Sequence, residues 1–404
     1  MIVVKGGRVL TPAGGWLEEG TVVVEGGRIA AVGRGLDVPA GAEVIDAEGR
    51  FVTPGFIDAH SHLGLHGEPL VWATSDVNEL TDPVTPQLRG MDGFNPDDPS
   101  FPEVLSAGVT AAFTGPGSAN VVGGTGFAIK LAGRTLAEML LPGTEAMKMA
   151  LGENPKRAYG TQTIKKMPAT RMGNAAVLRE ALVKAQNYMA GLPDGEEVAS
   201  APGRRGRDLR WEALGRVLRR EIKARIHAHR ADDILTALRI AAEFGLDCVI
   251  EHATEGYKVA EAIAGQGVPC TVGPIFIHRS KMELQGLNVG NAAALARAGV
   301  KVALQMDGAS QTRWLPLAAG VAVREGMPEA EAFKAITIHP AEILGVAGRL
   351  GSLEPGKDAD LAVFSGHPFC TFSHCDLVMV DGRVVYRRTE GGGPGSCSGA
   401  AYPH

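Results

Sequence analysis

Short β-rich runs separated by glycine turns occupy the first fifty residues of the chain and recur near its other end. The early runs lie at residues 3–4, 8–10, 21–24 and 29–32, and the late ones at residues 359–364, 377–380 and 383–386. Gly6-Gly7, Gly26-Gly27 and Asp381-Gly382 are typical of hairpin turns between such runs. Both ends together predict one small β-sandwich, formed by residues 1–54 and 347–386.

The middle of the chain instead alternates strand-like and helix-like segments. Its eight strand-like runs lie at residues 55–59, 109–113, 126–131, 146–150, 225–228, 248–251, 268–272 and 300–304. Most are followed by helical character, clearest over residues 232–244, where Ile234, Leu235, Leu238 and Ala241 form one apolar stripe. Residues 257–264 and 291–298 are further predicted helices. Eight strand–helix units predict an α/β fold with a closed parallel (β/α)8 TIM barrel over residues 55–346.

Two stretches interrupt this alternation. Residues 64–103 are rich in Pro, Asp and Gly and follow the first barrel strand, so we expect a lid loop over the barrel mouth. Residues 387–404 include the sequence GGGPGSCSGAAYPH and predict a flexible tail.

Composition and charge narrow the class of protein. The 404 residues include 45% hydrophobic residues and carry a net charge of -5, which argues against nucleic acid or an anionic membrane as main partner. Five cysteines in no framework spacing favour reduced thiols. With no signal-peptide pattern at the start and no long apolar run, we expect a cytoplasmic protein that acts on a small molecule, as a homo-oligomer.

The sequence PGFIDAHSH, which ends in His60 and His62, carries the strongest chemical signal. Residues i and i+2 of a strand share a face, with Cβ atoms roughly 7 Å apart, so two imidazoles can converge on one ion. Glycines on either side mark a strand that emerges into a loop. That is the carboxyl-terminal rim, where barrel enzymes keep their chemistry.

Three more potential ligands stand at the ends of later predicted strands. His229 ends ARIHAH, His252 ends CVIEH, and Asp307 follows KVALQM. A barrel brings the carboxyl ends of its strands into one ring, so these side chains and the His60–His62 pair are expected to form one metal site. An isolated pair of histidines would instead be ordinary surface residues.

The pattern resembles the amidohydrolase superfamily along nearly the whole chain. The opening VIDAEGRFVTPGFIDAHSH and the closing AITIHPAEILGVAGRLGSLEPGKDADLAVF are similar to its flanking segments. The middle resembles the imidazolonepropionase-like branch, in IHAHRADDILTALRIAAEFGL and MKMALGENPKRAYG. The resemblance implies a metal-bearing barrel with a sandwich made from both ends.

Roles for individual residues follow from the resemblance. It implies that His60, His62, His229, His252 and Asp307 bind metal, and that Asp307 also shuttles a proton. His227 forms an HxH pair with His229, but the family ligand stands at the last strand position, so His227 is expected one layer deeper.

Members with two metal ions carry a bridging ligand, often a carboxylated lysine, for which Lys148 is the best match. Glu153 and Lys156 are rivals, and without a bridge the site holds one metal. Histidine nitrogens and carboxylates suit zinc, while manganese, iron and cobalt stay open.

A bound divalent metal lowers the pKa of water from about 15.7 to about 7 and makes hydroxide available. We expect attack on an amide-type C–N bond of a cyclic amide, an N-acyl amino acid or a dipeptide, with Asp307 returning the proton to the leaving nitrogen. Arg230 and His278 lie near predicted strand ends and are candidate substrate-binding residues.

Two alternatives stay open. One is a deaminase on the same scaffold, although such relatives carry a glutamate two or three residues after the fifth-strand histidine, where this chain has Ala231 and Asp232. The other is a non-catalytic barrel scaffold, which typically loses metal ligands that this chain retains.

Overall fold

Strands from both ends of the chain form one eight-stranded sheet in the computed structural model, which describes residues 1–161, 165–191 and 206–389. Its strands are β1 Ile2–Leu10, β2 Trp16–Glu25, β3 Arg28–Arg34, β4 Glu43–Asp46, β5 Phe51–Pro54, β14 Leu361–Phe364, β15 Cys375–Val380 and β16 Arg383–Arg387. They lie in the order β16-β15-β14-β5-β1-β2-β3, and β4 also pairs with β1. A separate apolar cluster covers this sheet with residues of both ends, including Val22, Val52 and Leu361.

Both ends of the chain therefore contribute strands to one sheet, whereas the β-sandwich and its boundaries at residues 1–54 and 347–386 stay predictions. One predicted turn is wrong. Gly6 and Gly7 lie inside β1, where the pairing with β2 shifts register, so they form a bulge. Gly6 has a φ of +69°, and a Cβ on Gly7 would lie 2.7 Å from Val52 Cγ2, so backbone geometry and close packing explain these glycines.

A second eight-stranded sheet forms a nearly closed barrel. Its strands are β6 Phe56–Ser61, β7 Val109–Thr114, β8 Val122–Lys130, β9 Leu140–Ala150, β10 Lys223–Ala228, β11 Cys248–His252, β12 Cys270–Val272 and β13 Val302–Leu304. They follow one another in chain order around the sheet. The two edges meet just beyond β13, where the Asp307 amide donates to the His60 carbonyl at 3.1 Å and the His62 amide donates to the Gly308 carbonyl at 3.0 Å.

One strand departs from the predicted parallel barrel. Strand β8 runs antiparallel to both β7 and β9, whereas the remaining neighbours pair in parallel. Only residues 115–121 connect β7 to β8, and a parallel crossover needs about a dozen residues or more. Because this connection is short, β7 and β8 form a hairpin. The chain reverses again between β8 and β9, so β9 runs in the same direction as β7.

Helices surround the barrel. They are α1 Ser100–Leu105, α2 Leu136–Met139, α3 Glu153–Tyr159, α4 Arg171–Met189, α5 Leu209–Leu218, α6 Ala231–Phe244, α7 Ala260–Gly265, α8 Asn291–Arg297, α9 Leu315–Arg324, α10 Glu329–Ala335 and α11 Ile338–Ile343. Helix α6 buries Ile234, Leu238 and Ala241 as predicted. Leu235 is 39% exposed, because its side chain lies outside the buried apolar stripe of the helix. Across the described ranges, no helix combines the length and apolar character that crossing a bilayer requires.

The predicted lid has little regular structure of its own. Between residues 64 and 99 it contains two 3-10 turns, Trp72–Thr74 and Gly90–Asp92. Its first part reaches the loop after β13, where the Ser310 hydroxyl donates to Glu68 Oε1 at 2.5 Å. Bridges from residues 84 and 89 to β8 hold its later part against the barrel.

Two further sequence predictions concern the carboxyl-terminal tail and the cysteine thiols. Residues 390–404 of the predicted tail, with Cys397, lie outside the described residues. The four cysteines that are described, Cys248, Cys270, Cys370 and Cys375, are all free thiols, as expected.

A buried ion cluster joins the barrel to the first sheet. Lys130, at the end of β8, places its ammonium 2.9 Å from Asp358, 3.0 Å from Asp360 and 2.5 Å from Asp381. Burial raises the pKa of Asp360 to about 6, even though Lys130 favours its charged form. The three carboxylates depend on a single lysine, helped by Arg349 at Asp358.

We predict that Lys130→Met lowers the free energy of unfolding by about 3–5 kcal/mol, because it leaves buried carboxylates without their counter-ion. Lys5→Met is the matched control, since Lys5 and its partner Asp46 are 44% and 53% exposed. That change is expected to cost less than about 1 kcal/mol. Chemical denaturation measures both, and equal losses in the two variants would contradict the structural role of Lys130.

Candidate metal centre

The carboxyl ends of the barrel strands bring the five predicted ligands together. His60 lies on β6 and His62 follows it, His229 follows β10, His252 ends β11, and Asp307 stands three residues after β13. The four imidazoles are buried, while the Asp307 side chain keeps 29% of its surface exposed. Asp307 Oδ1 lies 3.1 Å from His60 Nε2, 3.4 Å from His62 Nε2 and 3.9 Å from His252 Nε2.

Two groups of possible metal ligands result. One contains His60, His62 and Asp307, and the other contains His227, His229 and His252; within each group the ligand atoms lie within 4.8 Å of one another. The contact between His252 and Asp307 connects them. His227, expected one layer deeper, has its ring centroid 4.6 Å from that of His229 and 4.4 Å from that of His252, so it shares their ligand group.

Each of the four predicted imidazoles is held through Nδ1. His62 Nδ1 lies 2.8 Å from the Gly115 carbonyl, which can only accept, so this ring carries hydrogen at Nδ1. His252 Nδ1 lies 2.9 Å from the Gly273 carbonyl and 3.0 Å from Gln305 Nε2.

The other two rings are held by side chains. His229 Nδ1 contacts Thr254 Oγ1 at 2.7 Å, and His60 Nδ1 lies 3.0 Å from Glu251 Oε1. A ring fixed in this way presents the Nε2 lone pair to a metal, and metal-binding histidines generally have such a second partner.

His229 Nε2 is buried and has no hydrogen-bond partner among the described residues. At His227 the unpartnered nitrogen is Nδ1, and at His60 Nδ1 has only the charge contact with Glu251 and no hydrogen bond among the described residues.

Protonation states favour cation binding. Burial lowers the pKa of His252 to about 4 and holds the pKa values of His227 and His229 well below the ordinary range. Burial alone would raise the pKa of Asp307, but the adjacent imidazoles of His252, His60 and His62 hold it well below its ordinary value. Neutral imidazoles around a carboxylate are the forms that bind a divalent metal.

The backbone adopts uncommon conformations at this centre. His252, Ala253 and Asp307 have φ angles of +68°, +44° and +56°, in the left-handed region that non-glycine residues rarely adopt. Such conformations cluster at active sites, where the surrounding structure compensates for their cost.

A buried charge cluster, missed in the sequence, lies beneath His60. The Glu251 carboxylate is fully buried and is contacted by Arg225 Nε at 2.6 Å and by the Lys148 ammonium. Arg225 is itself buried and stacks 3.9 Å from the centroid of the Phe113 ring. The signal available in the sequence was the charge inside the apolar runs ARIHA and CVIEH.

Lys148 and its rivals differ in position. Lys148 Nζ lies 3.2 Å from His60 Nε2, at the edge of the ligand group. Glu153 instead accepts the backbone amide of Glu283 at 3.1 Å, and Lys156 lies in the last turn of α3. Of the three candidates, Lys148 therefore lies nearest to the possible metal position.

Of the two predicted substrate-binding residues, one is already paired with a carboxylate and the other is exposed. Arg230 makes a forked pair with Asp232, at 2.9 and 2.8 Å, two residues further along the chain. His278 is exposed in the loop after β12. Their role in substrate binding stays a prediction.

Glu283 is a second residue that sequence reasoning missed. It is fully buried, and its Oε1 lies 3.6 Å from Nε2 of both His227 and His229. Lys281 Nζ lies 2.6 Å from the same oxygen and, with His229, holds the Glu283 pKa below its ordinary value against the effect of burial. Its place in a loop between β12 and α8 gave no sequence pattern to read.

Comparisons with known proteins identify the family of the chain. Residues 51–385 match the model of the amidohydrolase family. The chain is 33% identical to amidohydrolase tasK of Hapsidospora irregularis over 92% of its own length but spans 40% of that protein. It is 29% identical to imidazolonepropionase of Geobacillus kaustophilus, covering 92% of this chain and 89% of that protein.

Among solved structures, an amidohydrolase from Thermotoga maritima superposes with a TM-score of 0.89 at 44% identity, covering 96% of this chain and all of that one. The family match extends over most of the chain, and its range includes all five predicted ligand positions. The chain therefore belongs to the amidohydrolase family.

Proposed function

We propose that the protein is a metal-dependent hydrolase that cleaves an amide-type C–N bond. The supporting observation is the arrangement of His60, His62, His229 and His252, each contacted at Nδ1, with Nε2 of His60, His62 and His252 within 3.9 Å of Asp307 and His229 grouped with His252. The family relatives named amidohydrolase and imidazolonepropionase make a C–N bond the natural target.

These four histidines and Asp307 are the proposed ligands, and their nitrogen and carboxylate donors suit zinc. A divalent ion bound there would supply an acidified water and positive charge beside the substrate carbonyl. The buried wall of imidazoles excludes bulk water from the inner side of the site, while the exposed part of Asp307 faces the entrance.

Asp307 is the proposed proton carrier. Its low pKa keeps it as a carboxylate that can accept the proton of the attacking water. Its partial exposure lets it return that proton to the leaving nitrogen of a bound substrate. Cyclic amides, N-acyl amino acids and dipeptides all provide such a nitrogen.

Two observations weigh against the alternatives. The described loop after His229 begins with Arg230 paired to Asp232, so the glutamate expected of a deaminase is missing at that place. A scaffold without metal would gain nothing from two adjoining groups of buried imidazoles, because burying unpaired polar groups costs stability.

Lys148 is the proposed bridge between two metal ions, after carboxylation of its amine. Its Nζ lies 3.2 Å from His60 Nε2, within reach of an ion at that nitrogen. Carboxylation would break the present contact with Glu251, for which Arg225 would stay as counter-ion.

We predict that Asp307→Asn lowers kcat by roughly 10²- to 10⁴-fold, because the amide cannot carry the proton, while its oxygen still binds metal. Asp46→Asn is the matched control, since Asp46 is 53% exposed in the first sheet. Steady-state kinetics and metal analysis on the same samples test the role. Unimpaired turnover in Asp307→Asn would refute it.

Metal retention tests the ligand assignment independently of activity. After dialysis, His60→Ala, His229→Ala and His252→Ala are each expected to retain at least roughly tenfold less zinc than the control His374→Ala. The control side chain is 46% exposed and pairs with Asp376. Because His227 shares the ligand group, His227→Ala is measured beside His229→Ala, and zinc lost only from His227→Ala would overturn the choice of His229.

For Lys148→Met we predict a fall from about two bound metal ions to about one, because the bridge is lost. Lys156→Met removes the same charge on α3 and is expected to keep the original number. Elemental analysis of protein purified with excess zinc and bicarbonate gives the ratio. An unchanged ratio in Lys148→Met would show that Lys148 serves only as the partner of Glu251.

A further inference from the structure

A cavity of about 480 Å³ opens beside the metal centre, and nothing in the proposed mechanism uses it. Its walls are Asn78 and Leu80 of the lid, Ser118 of the β7–β8 connection, and Asn154 and Arg157 of α3. The volume lies within the range of small-molecule binding sites.

Asn154 joins this cavity to the metal centre. Its Nδ2 lies 3.5 Å from His227 Nε2, and its Oδ1 accepts a hydrogen bond from Lys281 Nζ at 3.0 Å. Asn154 therefore lies between the histidine group and the cavity, and a substrate that reaches both would lie along this side chain.

The polar groups of the cavity wall are hydrogen-bond donors. Asn154 Nδ2 donates to Ser118 Oγ at 2.8 Å, which leaves the Ser118 hydroxyl proton available. The Ala119 amide donates to Asn78 Oδ1 at 3.0 Å, which leaves the Asn78 NH₂ group available. A Cβ on Gly117 would lie 2.5 Å from Asn78 Nδ2, so glycine permits this close approach.

Arg157 supplies the charge of the cavity. Other cations near the barrel mouth are engaged, Arg230 with Asp232 and Lys281 with Glu283. Arg157 makes no ion pair or hydrogen bond with any residue of the described ranges, and the cavity wall includes no carboxylate. A planar guanidinium with neighbouring donors is suited to a carboxylate, which it binds through two parallel hydrogen bonds.

We propose that Arg157 binds a carboxylate of the substrate, with Ser118 and Asn78 as further donors. This inference rests on the proposed hydrolase function and selects, among its substrate classes, an acid such as an N-acyl amino acid or a dipeptide with a free carboxyl end. A neutral cyclic amide would leave the Arg157 cavity unused.

The test compares N-acetyl amino acids with their carboxamides on the zinc-loaded full chain, measured as acetate released. The two series differ only in the charge that Arg157 would bind. The wild-type protein is expected to prefer the carboxylates by roughly 10- to 100-fold in kcat/KM.

Arg157→Gln is expected to reduce that preference to near one by raising KM for the carboxylates with kcat little changed, because the binding contact is remote from the reacting bond. Arg157→Lys keeps the charge without the fork and is expected to retain part of the preference. Arg324→Gln is the matched control, since this side chain is 69% exposed on α9.

The proposal is overturned if the preference survives in Arg157→Gln, or if Arg324→Gln loses it equally. If no amide is hydrolysed, the hydrolase function fails, and binding is then read by saturation-transfer NMR with N-acetylglycine and N-acetylglycinamide on metal-free protein. If the wild-type protein gives a signal for N-acetylglycine that is lost in Arg157→Gln, carboxylate binding at Arg157 is supported without the hydrolase function. A signal that persists in Arg157→Gln refutes carboxylate binding at Arg157.

Discussion

The fully buried carboxylate of Glu251 is the group on which the geometry of the candidate metal centre depends. A buried charge without partners would cost several kcal/mol, so its contacts with Arg225, Lys148 and His60 must form together. Arg225 also donates to the Ala59 carbonyl at 2.5 Å, so one guanidinium ties β6, β10 and β11 to the same point. The orientation of the His60 ring follows from this arrangement, because Glu251 holds Nδ1 and leaves Nε2 directed at Asp307.

Closure of the barrel depends on the same few residues. Strands β6 and β13 do not pair along their length, and the buried Asp58 carboxylate instead accepts the His60 amide at 3.0 Å, the Met306 amide at 3.3 Å and the Thr312 hydroxyl at 3.0 Å. Burial raises the pKa of Asp58 to about 7 despite these bonds. Asp58 therefore connects the first and last barrel strands beside two proposed ligands, His60 and Asp307. The stability of the barrel and the geometry of the site are linked through this carboxylate.

The parts of this site that the sequence predicted are those set by local pattern. His60 and His62 were visible because a strand puts alternate residues on one face, and β10, β11 and β13 lie within two residues of their predicted bounds. Glu251 and Glu283 were missed because a buried charge is explained only by partners far away in the chain. The reversal of β8 was missed because its predicted start at residue 126 left a dozen residues for the connection, whereas the strand begins at Val122. The bulge in β1 depended on its pairing with β2 and packing against Val52.

Charge balance connects the metal, Lys148 and the substrate. Around the site, Arg225 and Lys148 carry two positive charges and Glu251 and Asp307 two negative ones, so these four side chains sum to zero. A bound dication adds two uncompensated positive charges in a region of low dielectric, which is costly. Carboxylation changes Lys148 from one positive to one negative charge and offsets both. A second metal would restore the excess positive charge, and an anionic substrate is the partner that such a site attracts.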